Sequence, residues 1–590
     1  MVASVAYVLR LLANLVRLAL VPFRLYSRWS WSRGKPRWIT LHLQPRIVPF
    51  RARDTLLQRL SARARDSHAT SLEELRALSE SLGRDPAVAG LLVHVPSLEA
   101  GWSACEGVRD TFRELRARGK HVVCYVSEGG GNRELYVALA ASHIYMAPYS
   151  AFGPLGLAAR PFYIRPLLDR LGITVEAQAA GEYKSAAEPA LRDTMSEPAR
   201  EQLQALLTGM HNALAEALRD RGVGPEQIVE LFERGMLQAK EALANAVIDG
   251  IIYEDELAAQ LKRLSEPAGA GEPSGAETEA ELVRTTEAER YVRFRNLPLW
   301  WRPLRRPPCI AVVPLRGTIV GEQGARFGSG LRPSPLARTV RALAKDPTVR
   351  AVLFYIDSPG GSALASELMH REMRRLAEKK PTVACFGDVA ASGGYYLACA
   401  CQKIVSPRLA VTGSIGVVSA KVDASALLDR LGIRPQFLRT APSADLLSFA
   451  RGLSPAENAL LKEHAGEIYD RFLAVVAEGR GRSVADIEPL ARGRVWLGSD
   501  AAERGLVDVL GGFERAVDEV RSLLPDVPEA ERAALKPRVF ALKSAGAGLG
   551  FGGLRTALLG PWAEFLPDIA AIETLRREAV TYYAPLTTFD

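Results

Sequence analysis

Along most of this chain, short aliphatic and β-branched runs alternate with stretches in which apolar residues recur every three or four positions. Runs such as Val352–Ile356 and Val383–Phe386 are apolar on both faces and too short for helices, which predicts buried strands. Helical stretches between the runs turn this into βαβ units on a mostly parallel sheet, an α/β fold.

The pattern is written twice. Leu167-Leu-Asp-Arg-Leu-Gly-Ile173 returns 260 positions later as Leu427-Leu-Asp-Arg-Leu-Gly-Ile433, and Gly153-Pro-Leu-Gly156 returns as Gly413-Ser-Ile-Gly416 at the same spacing. Asp85–Val95 resembles Asp346–Ile356 at a spacing of 261. So long a period excludes a solenoid and predicts two tandem copies of one domain. Five regions follow: a basic segment 1–37, a first domain 38–262, a linker 263–307, a second domain 308–540 and a tail 541–590. Within the linker, Ser265–Glu289 is rich in Glu, Ala, Gly, Pro and Thr and reads as flexible chain. The tail starts glycine-rich at Ser544–Gly553 and then turns apolar and aromatic, which suits docking on another subunit or on a membrane.

Chemistry concentrates in the second copy. Val383–Phe386 leads through the small residues Asp388–Gly394 into an apolar helical pattern from Tyr395, so Ser392 falls on a strand-to-helix turn. Unpaired N–H groups and the helix dipole favour negative charge there, as an activated serine requires. The same residues would equally make a serine N-cap followed by two packing glycines. Upstream, Val352–Ile356 runs into Asp357-Ser-Pro-Gly-Gly-Ser362, a glycine turn of the kind that presents free backbone N–H groups. The first copy lacks both features: Gly129-Gly-Gly-Asn-Arg-Glu134 stands opposite Val389–Gly394, with Asn132 opposite Ser392, and Pro96–Gly101 stands opposite the glycine turn. It does carry Gly181-Glu-Tyr-Lys-Ser-Ala-Ala-Glu-Pro189 after a strand-like Thr174–Ala177, and Lys184 there has Ala444 as its counterpart.

The pairing of SPGGS with ASGGYY, together with GEYKSAAEP, resembles the signal peptide peptidase A (protease IV) family, in its long, double-domain form, within the ClpP/crotonase group of folds. The resemblance spans roughly residues 85–540. It implies two tandem ClpP/crotonase-like domains and a Ser–Lys dyad divided between the copies, with Ser392 as nucleophile and Lys184 as general base. Gly361 and Gly393 are then the backbone N–H donors to the oxyanion, and Ser414 orients the lysine. It further implies peptide substrates, namely released signal peptides and other unfolded chains, no cofactor or metal, and a ring-like homo-oligomer, with a tetramer as a candidate ring. A lysine acts as a base only when neutral, and a dry boundary between domains would lower its pKa enough.

Of the net charge of +8, Arg10, Arg17, Arg24, Arg28, Arg33, Lys35 and Arg37 account for seven, in a stretch without an acid. The rest is nearly balanced, which argues against nucleic-acid binding. Val2–Phe23 is apolar except at Ser4, Arg10, Asn14 and Arg17, and the last three share one helical face. An in-plane or spanning membrane helix is expected there. The family's active domains face the periplasm or exterior, whereas basic residues after the apolar run favour a cytoplasmic side. The six cysteines suggest neither disulfides nor a zinc site. None of the eight histidines has metal-ligand spacing, and His143 reads as a core residue in a helix-like run. Asp357 and Asp388 read as turn or cap residues. Two other classes remain at this stage, a crotonase-like acyl-CoA enzyme and a catalytically inactive peptide-binding scaffold.

Overall fold

The structure, a computed structural model, describes residues 37–50, 69–265, 285–295, 307–322, 330–542 and 581–583, with isolated positions between 11 and 26. The expected membrane helix in the basic segment falls largely outside these residues. Among them, no helix is long and apolar enough to cross a membrane. The chain divides into two compact units, Met1–Leu157 with Met210–Pro307, and Ala158–Gly209 with Pro308–Asp590.

The first unit is built on a six-stranded parallel sheet in the order Gly250–Ile251, His143–Met146, His121–Val126, Val88–His94, Arg37–His42, Thr285–Glu287. Its central strands are buried on both faces, as helix-covered parallel sheets require. Two sequence expectations are corrected here. His143 opens a strand instead of lying in a helix, because its backbone pairs with Val123 of the neighbouring strand. Part of the linker is also ordered. Thr285–Glu287 pairs with Trp38–Thr40 and covers a sheet edge. The helix that follows, Ala288–Arg295, buries Tyr291, whose hydroxyl lies 3.1 Å from Asp85. That buried aromatic and Ala288 anchor an otherwise polar stretch.

In the second unit the strands are β1 (Thr174–Ala180), β2 (Cys309–Arg316), β3 (Val349–Ser358), β4 (Gly360–Ser362), β5 (Thr382–Ala391), β6 (Lys403–Ser406), β7 (Val411–Gly413), β8 (Val417–Asp423), β9 (Val495–Leu497), β10 (Val509–Leu510), β11 (Lys536–Val539) and β12 (Thr581–Tyr583). The helices used below are α1 (Arg165–Leu171), α2 (Ala363–Ala377), α3 (Gly393–Ala398) and α4 (Ser425–Arg430). The large sheet runs β10-β6-β5-β3-β2-β11, the same order as in the first unit, so the duplication visible in the sequence is also visible in topology. It gains a branch: the first half of β5 pairs with β6, and its second half, Val389–Ala391, pairs with β7, which in turn pairs antiparallel with β9. A second, antiparallel sheet runs β4-β12-β8-β1. The core between the large sheet and its helices holds Phe354, Phe386, Met369, Met373, Tyr396 and Phe472, all nearly inaccessible to water. Burying a side chain of this size contributes about 2–3 kcal/mol.

Candidate active site

Ser392 follows β5 directly. The sequence ends that strand near Phe386, but pairing with β7 carries it to Ala391, a long-range contact that local propensity does not encode. Ser392 itself has φ 54° and ψ −118°, a conformation that suits glycine and costs another residue about 1–3 kcal/mol. Two backbone bonds hold it: its N–H donates to Gly413 at 2.8 Å, and its carbonyl accepts from Tyr396 at 2.9 Å, opening α3. The kink swings the hydroxyl off the strand and into a wholly buried position.

Lys184 arrives from the other side. β1 forms a seven-residue antiparallel ladder with β8, from Val417 opposite Ala180 to Asp423 opposite Thr174. Gly181 then turns the chain at φ 108°, with the backbone of Arg492 so close that a Cβ would clash at 2.3 Å. Tyr183 N–H donates to Arg492 O at 2.9 Å. Gln202 donates to Tyr183 O and to Ser185 Oγ while accepting from Val495 N–H, which ties the lysine loop to β9. So positioned, Lys184 Nζ lies 2.9 Å from Ser392 Oγ, 2.9 Å from Ser414 Oγ and 3.0 Å from Ser414 O. It is 4% exposed, and burial alone lowers its pKa from 10.5 to about 7. Neither Ser392 nor Ser414 presents any surface to water.

The dry environment is not a boundary between separate domains. Residues 158–209 belong to the first copy in sequence, yet they form part of the compact unit that holds Ser392 and Ser414. The reason is β1, which uses its full length to pair with β8 and so commits its flanks to that unit.

The two glycines implied by resemblance stand beside the serine. Gly393 opens α3, where first-turn N–H groups have no carbonyl within the helix. A Cβ on Gly393 would sit 3.3 Å from Gly360 Cα, which places β4 against the start of α3. Gly361 has φ 145°, and a Cβ on it would lie 2.0 Å from Ile319 O. The expected Pro-Gly-Gly turn is therefore a short extended strand, held by Ile319 N–H to Gly360 O and Ser362 N–H to Ile319 O. Ser362 then caps α2 through Ala365 N–H. Asp357 proves more than a turn residue, since its carboxylate accepts Val389 N–H at 3.3 Å and lies 3.5 Å from Arg316. It pins the half of β5 that delivers Ser392. Gln202 and Asp357 carry no local motif, and only the folded chain reveals what they brace.

The first unit keeps the outline of the same site with its chemistry filled in. Asn132 opens the helix Asn132–Ala138, as Ser392 precedes α3, but its side chain is spent on Pro154 O, Gly156 O and Gly156 N–H. Glu134 turns back to accept the N–H groups of Gly131, at 2.7 Å, and of Leu98 in the stretch that replaces the glycine turn. A carboxylate thus satisfies backbone donors that would otherwise face an open site.

Known proteins resemble this chain along most of its length. The model of peptidase family S49 matches twice, over residues 114–267 and 374–525, one match in each copy. The chloroplastic serine protease SPPA of Arabidopsis thaliana is 32% identical over 85% of this chain and 72% of its own length. Protease 4 of Haemophilus influenzae is 30% identical over 75% of this chain and 71% of its own. A putative signal peptide peptidase SppA of Enterococcus faecium is 34% identical over 31% of this chain and 53% of its own. The acyl-CoA and inactive-scaffold readings give way to these matches. A chain matched in both of its copies, and along most of its length by these proteases, belongs to peptidase family S49 and is a serine peptidase.

Proposed function

We propose that this peptidase cuts released signal peptides and other unfolded polypeptides through a Ser392–Lys184 dyad set in tandem ClpP/crotonase-like domains. The observation that carries the reading is the buried Lys184 amine, 2.9 Å from an equally buried serine hydroxyl whose backbone is strained into place. With a pKa lowered to about 7, a good part of the amine is neutral at physiological pH and accepts the Ser392 proton. The alkoxide attacks the scissile carbonyl, and the N–H groups of Gly361 and Gly393 receive the developing oxyanion. Lys184 returns the proton to the leaving amine, releasing the first product and leaving an acyl-enzyme on Ser392. Water, deprotonated by Lys184, then releases the second product. Ser414, bonded to the amine through both its hydroxyl and its carbonyl, fixes the direction of the lysine lone pair.

Substrate class is tested with an unstructured, leucine-rich fluorogenic peptide and a folded protein containing the same sequence. Hydrolysis of the peptide alone is expected. A chain inert on the peptide, or equally active on the folded protein, removes this assignment.

We also propose that residues 1–37 attach the chain to a membrane, with the catalytic units on the extracytoplasmic side, and that copies assemble into a ring. The basic, apolar N-terminal stretch supports the first. Support for the second comes from the repeated segment: α1 and α4 lie together, Leu427 N–H donating to Gly172 O, while Phe162, Leu167, Leu171, Leu431 and Leu438 beside them stay exposed. Vesicle flotation should carry the full chain upward, and light scattering should give a multiple of the 64.1 kDa chain mass. Sedimentation away from vesicles and a monomer mass would remove these two proposals.

A further inference from the structure

The three residues before β9, Arg492-Gly493-Arg494, bridge the lysine turn and the turn that carries Ser414. Arg492 has φ 50° and Gly493 φ 81°, two successive residues in the left-handed region, which a chain keeps only where its surroundings hold it. On one side Gly493 N–H donates to Ile415 O at 2.8 Å, and Ser414 N–H donates to Arg494 O at 2.7 Å. Ser414 has φ 52°, so the second bond restrains a serine that is itself strained. On the other side Arg492 O accepts Tyr183 N–H. A Cβ on Gly493 would lie 2.6 Å from Lys184 N and 2.7 Å from Lys184 Cβ, and one on Gly416 would lie 2.8 Å from Gly493 Cα. Gly493 therefore touches the lysine on one side and the Ser414 turn on the other, with no room for a side chain of its own.

The Arg494 side chain spans the same gap a second time. Its Cζ lies 4.8 Å from the centre of the Tyr183 ring and 4.4 Å from that of Trp496 in β9. The guanidinium also donates to the Tyr183 hydroxyl at 3.3 Å and pairs with Glu201 at 2.8 Å. A guanidinium this close to a ring is attracted to it, more strongly where water is scarce. Tyr183 precedes Lys184 in the chain, so one residue grips Ser414 through its backbone and the lysine turn through its side chain.

We infer that Arg494 is a positioning residue for the dyad, its carbonyl holding Ser414 and its guanidinium holding Tyr183, so that the Lys184 amine meets both serines in a dry site. The inference rests on the dyad reading and adds the brace that the reading needs. The charges flanking the turn are matched among themselves, Arg492 with Glu182 and Glu488, and Arg494 with Glu201. Burial alone lowers the pKa of Lys184. The brace thus acts by keeping water out.

The test keeps the full chain. Arg494→Ala and Tyr183→Leu each break the grip, the first with loss of a charge and the second without. Either should loosen the turn and admit water, which carries the pKa of a lysine back towards its ordinary value. For the leucine-rich peptide, the midpoint of kcat/KM against pH is expected to rise by about one unit in both variants. Activity then falls about fivefold at pH 7 and recovers to within about twofold at pH 9.5, with KM little changed. Arg504→Ala should leave the midpoint in place, since it removes a guanidinium over the same Trp496 ring whose hydrogen bonds run to Asp500 and Arg482. A midpoint that stays put in both variants, that moves in Arg494→Ala alone, or that moves as far in Arg504→Ala overturns the inference.

The amine is read without turnover on Ser392→Ala chains, by competitive acetylation of Lys184 with acetic anhydride and mass spectrometry across the pH range. Its midpoint should rise when Arg494→Ala or Tyr183→Leu is added, and labelling should quicken. If that rise holds while no chain hydrolyses the peptide, the dyad reading falls and the hold of Arg494 on Lys184 stands. If hydrolysis depends on Ser392 and Lys184 but acetylation is the same in every chain, the dyad stands and the role of Arg494 falls.

Discussion

Replacing Ser392 by alanine is expected to lower kcat/KM for peptide hydrolysis by about 10⁴–10⁶, and Lys184→Ala to lower it comparably, because on the dyad proposal the first removes the nucleophile and the second the base that takes its proton. The double variant should lose no more than the worse of the two. Groups that act as one unit are not additive, and what survives comes from the oxyanion donors and substrate binding. Circular dichroism and thermal unfolding check that each variant is folded, and hydrolysis of the fluorogenic peptide provides the rates. Losses that multiply in the double variant would mean that the two residues act in separate steps. Full activity in Lys184→Ala would require another base, and among the described residues the side chain bonded to Ser392 Oγ is that of Lys184.

Lys184→Met should trade activity for stability, with a pH dependence of known sign. Unfolded, the amine keeps its proton up to its ordinary 10.5, and folded it gives it up near 7. Between those values the unfolded chain binds the extra proton, so wild-type stability rises with pH, and the penalty is complete below about 7. A shift of that size corresponds to at most about 5 kcal/mol at neutral pH. Methionine escapes that cost but leaves the hydroxyls of Ser392 and Ser414 without the amine, at about 1 kcal/mol or more each. The net expectation is a variant more stable by about 2 kcal/mol at pH 6–7, with the gap closing at about pH 8.5 and reversing above it. The wild-type kcat/KM should climb through about pH 7 and level off as the amine loses its proton. Denaturation curves at pH 6.5 and 9.5 decide the first point, and a gap that does not vary with pH would mean that Lys184 is not held neutral.

Much of this site is legible before folding because it rests on short segments with severe local demands. Gly361 tolerates no Cβ, Ser392 needs glycines after it, and Gly181 must turn beside Arg492. Such constraints leave motifs. The repeat likewise pointed to the proposed division of labour, since Asn132 and Ala444 stand where Ser392 and Lys184 would be duplicated. What stayed hidden depends on contacts between distant segments. Nothing near Gln202 announces that it braces β9, and nothing in Glu134 announces that it stoppers the first copy. Thr285–Glu287 looks like linker until the sheet edge it covers exists, and Thr581–Tyr583 lies in a stretch whose composition suggested only docking.

The placement of residues 158–209 also bears on how such a gene can change. A cut anywhere in the linker yields a downstream product without β1, without the Gly181 turn and without Lys184, and an upstream product whose own site is stoppered by Glu134. On the dyad proposal neither fragment encodes a working enzyme, although a cut after Glu287 leaves each its parallel strands. If Lys184 and Ser392 act as one dyad, fission of the gene is a null mutation. The duplication thus works as a ratchet, holding both copies in one reading frame for as long as the activity is selected.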